Sequence, residues 1–241
     1  AIKKAIDEIT SDLLIDDDVI KQIISSLVAR KHILLTGPVG TGKTHLASIL
    51  PGLVWKDGKL EGYHCKVVTA NSEWTTQDVI GGILPKVDKV KNEITYQIQD
   101  GCVIETIKNN YDKTLSSRHD FEIDDEKYRG QWLVIDEFNR ANIDRAFGPL
   151  FTAIQGYSEN VLYPTTDPDE TSEEIKIPED YRIIGTLNTA DKHFLNQLSF
   201  ALRRRFDIIS IEPPTMKESS VELRMVTKKG LKELQKNIPE D

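Results

Sequence analysis

The chain has 241 residues and a formal net charge of −8, with 39% hydrophobic and 29% charged residues. This length can bury the core of one large domain, or of a domain with an appendage, and the composition is that of a globular protein. No apolar run approaches eighteen residues and the N-terminal segment has no apolar signal region, so we expect a cytoplasmic protein that does not contact a membrane. The acidity argues against strong nonspecific binding of nucleic acid by this segment alone, but not against a local basic patch or a pore built from several copies.

Short β-rich apolar runs alternate with helical patterns along the chain, which predicts an α/β domain around a mostly parallel sheet. In chain order we predict a helix after residues 16–18, a strand at 32–36, a helix ended by Pro51, and strands at 63–70, 131–136, 181–188 and 206–211. Residues 1–214 then form the domain, and residues 215–241 form a tail of helical composition.

Two segments interrupt this alternation. Residues 85–101 have the pattern of an inserted β-hairpin, and residues 160–178 that of two short strands joined by an acidic tip. The acidic stretch 120–130 is predicted to be a solvated loop.

The sequence GPVGTGKT at residues 37–44 fits the pattern G-x-x-x-x-G-K-[ST] and lies between a predicted strand and a predicted helix, as that motif requires. Its glycines allow backbone N–H groups to surround phosphate oxygens at a helix N-terminus. Lys43 would contact the β- and γ-phosphates of a nucleotide, and the Thr44 hydroxyl would ligate Mg²⁺. The predicted nucleotide-binding residues are Gly37, Pro38, Val39, Gly40, Thr41, Gly42, Lys43 and Thr44.

An acidic pair, Asp136 and Glu137, follows the apolar run WLVI at the end of the third predicted core strand. Asp136 can hold Mg²⁺, as Thr44 can, and Glu137 can polarise an attacking water. Since a kinase of this class does not need the pair, Glu137 favours hydrolysis.

Asn188 ends the next predicted strand, in the sequence GTLNTAD. The amide could simply cap a turn. It could also orient the attacking water at the γ-phosphate, because in phosphate-loop proteins with a catalytic glutamate this strand lies between the other two motif strands.

Cys65 and Cys102 have no metal-ligand spacing, and we interpret them as reduced thiols of the core rather than as a disulfide or a metal pair.

Together, the phosphate loop and the sequences DEFNRAN, GTLNTAD and ALRRRFDIISIEP resemble the AAA+ ATPases, in particular the McrB-like branch near the MoxR and dynein-related groups. The resemblance covers about residues 16–213. It implies a three-layer αβα domain with a central parallel five-stranded sheet in the order 5-1-4-3-2. It also implies one hairpin inserted in the second helix and another before the strand that ends at Asn188.

The resemblance also implies a homo-oligomeric ring, a hexamer in the expected case, in which an arginine of one subunit reaches the γ-phosphate held by its neighbour. Arg203 and Arg204 are the candidates, and we expect Arg205 to be structural, beside Phe206. A second candidate for action on a neighbour is Arg140. The alternative is that the three consecutive arginines form an ordinary basic turn and pair with acidic residues nearby, with no role at a nucleotide.

The family has a C-terminal helical lid, and the chain ends at Asp241, too soon for a complete one. Together with the absence of an N-terminal substrate-reading domain, this suggests a fragment, or a minimal motor that depends on partners. No guanine-reading N-K-x-D sequence occurs, which favours ATP with Mg²⁺, with GTP as the alternative. The functions implied are a motor in a McrBC-like restriction complex, with an McrC-like nuclease partner and DNA reached through the complex, or a MoxR-like chaperone ATPase. A third hypothesis is an interaction module that binds nucleotide but scarcely hydrolyses it.

Overall fold

Five parallel strands form the centre of the computed structural model, which describes residues 2–88, 93–111, 119–153, 160–164, 172–188, 200–213 and residue 227. The strands are β1 (His32–Gly37), β2 (Glu61–Thr69), β3 (Gly81–Asp88), β4 (Glu93–Asp100), β5 (Phe121–Ile123), β6 (Glu126–Asp136), β7 (Asn160–Pro164), β8 (Ser172–Lys176), β9 (Ile183–Asn188) and β10 (Phe206–Ser210). The helices are α1 (Ile2–Asp12), α2 (Asp17–Val28), α3 (Lys43–Val54), α4 (Thr76–Val79), α5 (Cys102–Lys108), α6 (Ile143–Ala153) and α7 (Phe200–Arg205), with a 3₁₀ turn at Phe138–Arg140.

The parallel strands lie in the order β10-β1-β9-β6-β2, which is the predicted order 5-1-4-3-2. The sheet differs from the prediction by a sixth strand, because the short β5 pairs antiparallel with the start of β6. The three central strands β1, β9 and β6 are almost wholly apolar and buried where they pair. Helices on both faces explain this pattern, since a parallel sheet in such a fold has no solvent face.

Both predicted hairpins are confirmed. β3 and β4 form an antiparallel ladder between the short helices α4 and α5, so the hairpin interrupts a helical segment. β7 and β8 pair antiparallel directly before β9, while the acidic tip between them lies outside the described residues.

The interpretation of residues 120–130 as a solvated loop is wrong. β5 and the first residues of β6 form a hairpin there, and its turn places Asp124 and Asp125 at positive φ angles of 50° and 64°. Aspartate is among the residues that tolerate this conformation, so an acidic turn at this point is compatible with a tight connection.

The prediction that Pro51 ends its helix is also wrong, because α3 continues through Pro51 to Val54. A proline inside a helix has no N–H for the carbonyl four residues earlier, here that of Ala47. The Cys65 thiol of β2 donates to this carbonyl at 3.5 Å. Helix α6 has the same arrangement at Pro149, where the Thr76 hydroxyl donates to the Arg145 carbonyl at 3.0 Å.

The two cysteines are free thiols, as predicted, and burial raises the pKa of both, that of Cys102 to about 12. Within the described part of the chain, no cluster of His, Cys, Asp and Glu could hold a metal on its own. Among the described residues, no helix combines the length and the apolar composition of a membrane span. The predicted tail, residues 215–241, lies outside the described residues except for residue 227.

Candidate functional site

The phosphate-loop motif occupies the turn between β1 and α3, at the carboxyl edge of the sheet. Gly42 precedes the helix with a φ of 75°, and Gly40 has a φ of 85°, so both lie in the left-handed region that glycine adopts without strain. Gly37 has no room for a side chain, since a Cβ there would collide with the carbonyl oxygen of Ile211. The glycine spacing of the motif is therefore required by this backbone path.

Lys43 begins helix α3 and is buried, with 6% of its surface exposed. Its ammonium donates to the carbonyl oxygens of Gly37 at 3.0 Å and Pro38 at 2.6 Å, inside its own loop. Burial lowers the pKa of Lys43, and the nearby Asp136 carboxylate opposes that shift. The loop thus holds one cation at its centre, where a phosphate group would pair with it.

Asp136 ends β6, and its Oδ1 accepts hydrogen bonds from two hydroxyls, Thr44 at 2.6 Å and Thr186 at 2.5 Å. Thr44 and Asp136 are the predicted metal ligands, and the structure places them in direct contact although 92 residues separate them. Hydroxyl and carboxylate oxygens are the donors that Mg²⁺ prefers, so the residues present fit a magnesium ion.

Glu137 follows Asp136 with a φ of 52° and a ψ of 44°, a left-handed conformation that is rare for a residue with a side chain. Its backbone N–H donates to the Thr186 hydroxyl at 3.2 Å. Its carboxylate forms a two-pronged ion pair with Arg140, three residues later, at 2.8 and 2.9 Å. Strained backbone of this kind is concentrated at functional sites.

Asn188 ends β9 directly beside Gly37, its Cα partner across the parallel ladder, and so lies next to the start of the phosphate loop. One open cavity of about 260 Å³ joins the predicted groups. It is lined by Val39, Gly40, Gly42, Lys43, Thr44, His45, Asp136, Glu137 and Asn188.

The three consecutive arginines, residues 203–205, are not among the residues that line this cavity. Arg203 and Arg204 are exposed at the end of α7, and the Arg204 carbonyl accepts a hydrogen bond from Lys31, just before β1. Arg205 is buried, and its guanidinium lies over the ring of Phe151, 5.6 Å from the centroid. Burial, and then the charge of Arg204, lower the pKa of Arg205.

Thr186 was missed by the sequence analysis. The signal for it is the period of two along a strand: Thr186 is two residues before Asn188, so both side chains face the same side of β9. The ion pair between Glu137 and Arg140 was also missed, because an acidic residue three positions before a basic one is common and carries little weight by itself.

The family model of the AAA domain, dynein-related subfamily, matches residues 32–206. This match includes the phosphate loop, the acidic pair, Asn188 and the three arginines.

Among characterised proteins, the chain is similar to the EcoKMcrB subunit of the type IV methyl-directed restriction enzyme of Escherichia coli K12, with 31% identity over 210 residues. The aligned region is 86% of this chain and 41% of the McrB subunit, so the chain spans well under half of that relative.

Among solved structures, the fold is similar to a crystallised protein of Cytophaga hutchinsonii described as a candidate ATPase, with a TM-score of 0.54 and 16% identity. The match covers 94% of this chain and 55% of that protein, and at this identity it supports the fold alone. The family match extends over most of the chain and contains every residue of the cleft, and the chain therefore belongs to the dynein-related subfamily of AAA domains.

Proposed function

We propose that this domain binds a nucleoside triphosphate with Mg²⁺ and hydrolyses it, with ATP as the expected substrate and GTP as the alternative. The observation that carries the proposal is the meeting of Lys43, the Thr44–Asp136 contact, Glu137 and Asn188 around one cleft. These side chains come from three strand ends that are far apart in sequence. A glycine-rich turn with no function would not require that convergence.

Each group has a role that its position allows. Lys43 and the loop N–H groups would bind the phosphates, and Thr44 and Asp136 would hold Mg²⁺, which neutralises charge on the phosphate oxygens. Glu137 and Asn188 would orient the attacking water and accept its proton at the Glu137 carboxylate. The cleft supplies positioning and charge, which are the main needs of phosphoryl transfer.

The position of the arginines supports a ring of subunits, in which the site is completed by a neighbour. Phe206, next to Arg205, pairs with His32 at the start of β1, whereas the phosphate loop begins at Gly37 at its other end. Five residues of strand separate the two ends by about 17 Å, so the backbone of Arg204, whose carbonyl accepts a hydrogen bond from Lys31, lies far from its own cleft. We infer that Arg203 or Arg204 acts on the nucleotide of the adjacent subunit, in a homo-oligomer that we take to be a hexamer.

Similarity to the McrB subunit favours a motor in a restriction-type complex over a MoxR-like chaperone. In that case DNA cleavage would belong to an McrC-like partner, and contact with DNA would be made by the complex. We propose that the chain acts in the cell as the motor of such a restriction-type complex.

A second candidate is a domain that binds nucleotide but turns it over slowly by itself. The ion pair of Glu137 with Arg140 favours it, because the carboxylate expected to activate water is engaged within the same chain. The two candidates are separated by measuring phosphate release from ATP and from GTP over a range of protein concentrations.

Specific activity that rises with protein concentration would support the shared site, and the faster nucleotide would identify the substrate. Flat, negligible release together with Mg²⁺-dependent nucleotide binding would support the slow module. A chain that neither binds nor hydrolyses either nucleotide would contradict both.

A further inference from the structure

One hydroxyl joins the two acidic residues of the cleft. Thr186 Oγ1 donates to Asp136 Oδ1 at 2.5 Å and accepts the backbone N–H of Glu137 at 3.2 Å. A hydroxyl has one proton to donate and lone pairs to accept, so both bonds are made at once. Thr186 therefore contacts the carboxylate that would hold Mg²⁺ and the backbone of the residue that would activate water.

Thr186 has 1% of its surface exposed and lies in β9 among the apolar residues Ile184 and Leu187. A hydroxyl buried in such a strand costs free energy unless it is hydrogen-bonded. Both of these hydrogen bonds are to the acidic pair, Asp136 at the end of the neighbouring strand β6 and Glu137 directly after it.

The two bonds constrain different degrees of freedom. At Asp136, the donors Thr44 and Thr186 share one carboxylate oxygen, which fixes the rotation of the carboxylate about its last torsion angle. At Glu137, the bond from the backbone N–H holds a residue whose φ of 52° is intrinsically unfavourable.

We propose that Thr186 is the positioning residue of the acidic motif: it orients Asp136 toward the metal site and holds Glu137 in its left-handed conformation. The proposal rests on the proposed nucleotide-binding function of the cleft. Strand β9 then contributes two residues to the site: Asn188 lines the cavity, and Thr186 holds the acidic pair in place.

The test compares Thr186→Val with Thr186→Ser. Valine has nearly the shape of threonine and removes only the hydroxyl function, whereas serine keeps the hydroxyl and loses a methyl group. Binding of a fluorescent, nonhydrolysable ATP analogue is titrated with Mg²⁺ from a starting point in EDTA, and hydrolysis is measured over the same Mg²⁺ range. Amide hydrogen exchange of the peptide that contains Glu137 is followed in the nucleotide-free protein.

For Thr186→Val we expect the half-maximal Mg²⁺ concentration to rise about 10- to 100-fold, as is typical when a group that orients a metal ligand is removed. Nucleotide affinity in EDTA is expected to stay unchanged, because the phosphate loop is intact. The Glu137 amide should exchange faster in the valine variant. Serine should restore the half-maximal Mg²⁺ concentration and the exchange of the Glu137 amide to near the wild-type values.

A valine variant with the wild-type Mg²⁺ dependence, in a wild-type background that binds nucleotide with Mg²⁺, overturns the role of Thr186 and leaves the proposed function intact. A serine variant that fails as valine does also overturns it, since the methyl group would then be what matters. A wild-type chain that binds no nucleotide at any Mg²⁺ concentration overturns the proposed function, and the role of Thr186 with it.

Discussion

Arg140 engages both carboxylate oxygens of Glu137, with Nε 2.8 Å from Oε2 and Nη2 2.9 Å from Oε1. The two residues are joined by the 3₁₀ turn at Phe138–Arg140, and the Arg140 N–H also donates to the Glu137 carbonyl at 2.9 Å. The side chain of Arg140 is 59% exposed, so it is accessible to the adjacent subunit of the ring proposed above. Arg140, which we considered for action on a neighbour, thus has a contact in its own subunit that competes with such a role.

Replacing Arg140 by Ala should release the Glu137 carboxylate and raise the basal hydrolysis of dilute protein. An exposed ion pair contributes at most about 1 kcal/mol, which limits the rise to about fivefold and the loss of stability to the same energy. Steady-state phosphate release and urea unfolding measure these two effects. Arg140→Lys keeps the charge without the two-pronged geometry and should fall between alanine and wild type. Basal hydrolysis that drops in the alanine variant would show that Arg140 supports Glu137 rather than restrains it.

Glu137→Gln should keep nucleotide binding and lower turnover by about 10²- to 10⁴-fold, the usual contribution of a general base. Glutamine has the same shape and can still accept from Arg140, but it cannot take a proton from water. Nucleotide affinity and phosphate release are measured on the same preparation, with Glu122→Gln, an exposed substitution in β5, as the matched control. Equal loss of binding and turnover would mean that Glu137 has a structural role.

Arg203→Ala and Arg204→Ala test the shared site. The variant of the true trans arginine should lose about 10³-fold or more in turnover while each subunit still binds nucleotide, because a guanidinium at the transferring phosphate has effects of this size. Arg30→Ala, which removes another exposed arginine just before β1, should hydrolyse nucleotide as the wild type does.

A mixture of two inactive variants tests the shared site more directly than either variant alone. An equimolar mixture of the inactive arginine variant and Glu137→Gln should regain activity, because some interfaces then combine an intact Glu137 with an intact arginine of the neighbour. A mixture as inactive as its two components would contradict a site completed in trans.

His32 makes the stability of the fold depend on pH. Burial, and then the charges of Arg182, Arg205 and Lys31, lower the pKa of His32 from 6.5 to about 3, and its Nδ1 accepts the Ile183 N–H. Between these two pKa values the unfolded chain binds a proton that the folded chain does not. Stability should therefore fall as the pH drops below 6.5, by up to about 1.4 kcal/mol per pH unit from this group.

Urea unfolding at several pH values between 7.5 and 5 measures this dependence. His32→Gln should be less stable at pH 7.5 but should show a flatter slope, whereas the exposed His119→Gln should follow the wild type. A slope that is the same in all three proteins would assign the acid sensitivity to other groups.

The sequence was informative where one residue type alone satisfies a local requirement. The glycines of the loop, the apolar strands and the acidic pair predicted the α/β fold class and the cleft, whereas the strand order was implied by the resemblance to the AAA+ ATPases. Contacts between distant elements were not predictable in this way. Pro51 was expected to end a helix because its own missing N–H is visible in the sequence, whereas the Cys65 thiol that satisfies the free carbonyl is visible only in the structure. The role of Thr186 was also not visible in the sequence, since its two hydrogen-bond partners lie about fifty residues earlier in the chain.

The prolines of α3 and α6 bear on how the domain folds. In each helix the proline leaves one interior carbonyl without an intrahelical donor, and a side chain of another element donates to it, Cys65 for α3 and Thr76 for α6. A twelve-residue helix is marginal as a free peptide even without such a defect. We therefore expect a synthetic peptide of α3 to stay unstructured, and the helix that carries Lys43 to form together with the edge strand β2. The loop at residues 37–44 would then acquire its shape late in folding, after the edge strand β2 has joined the sheet.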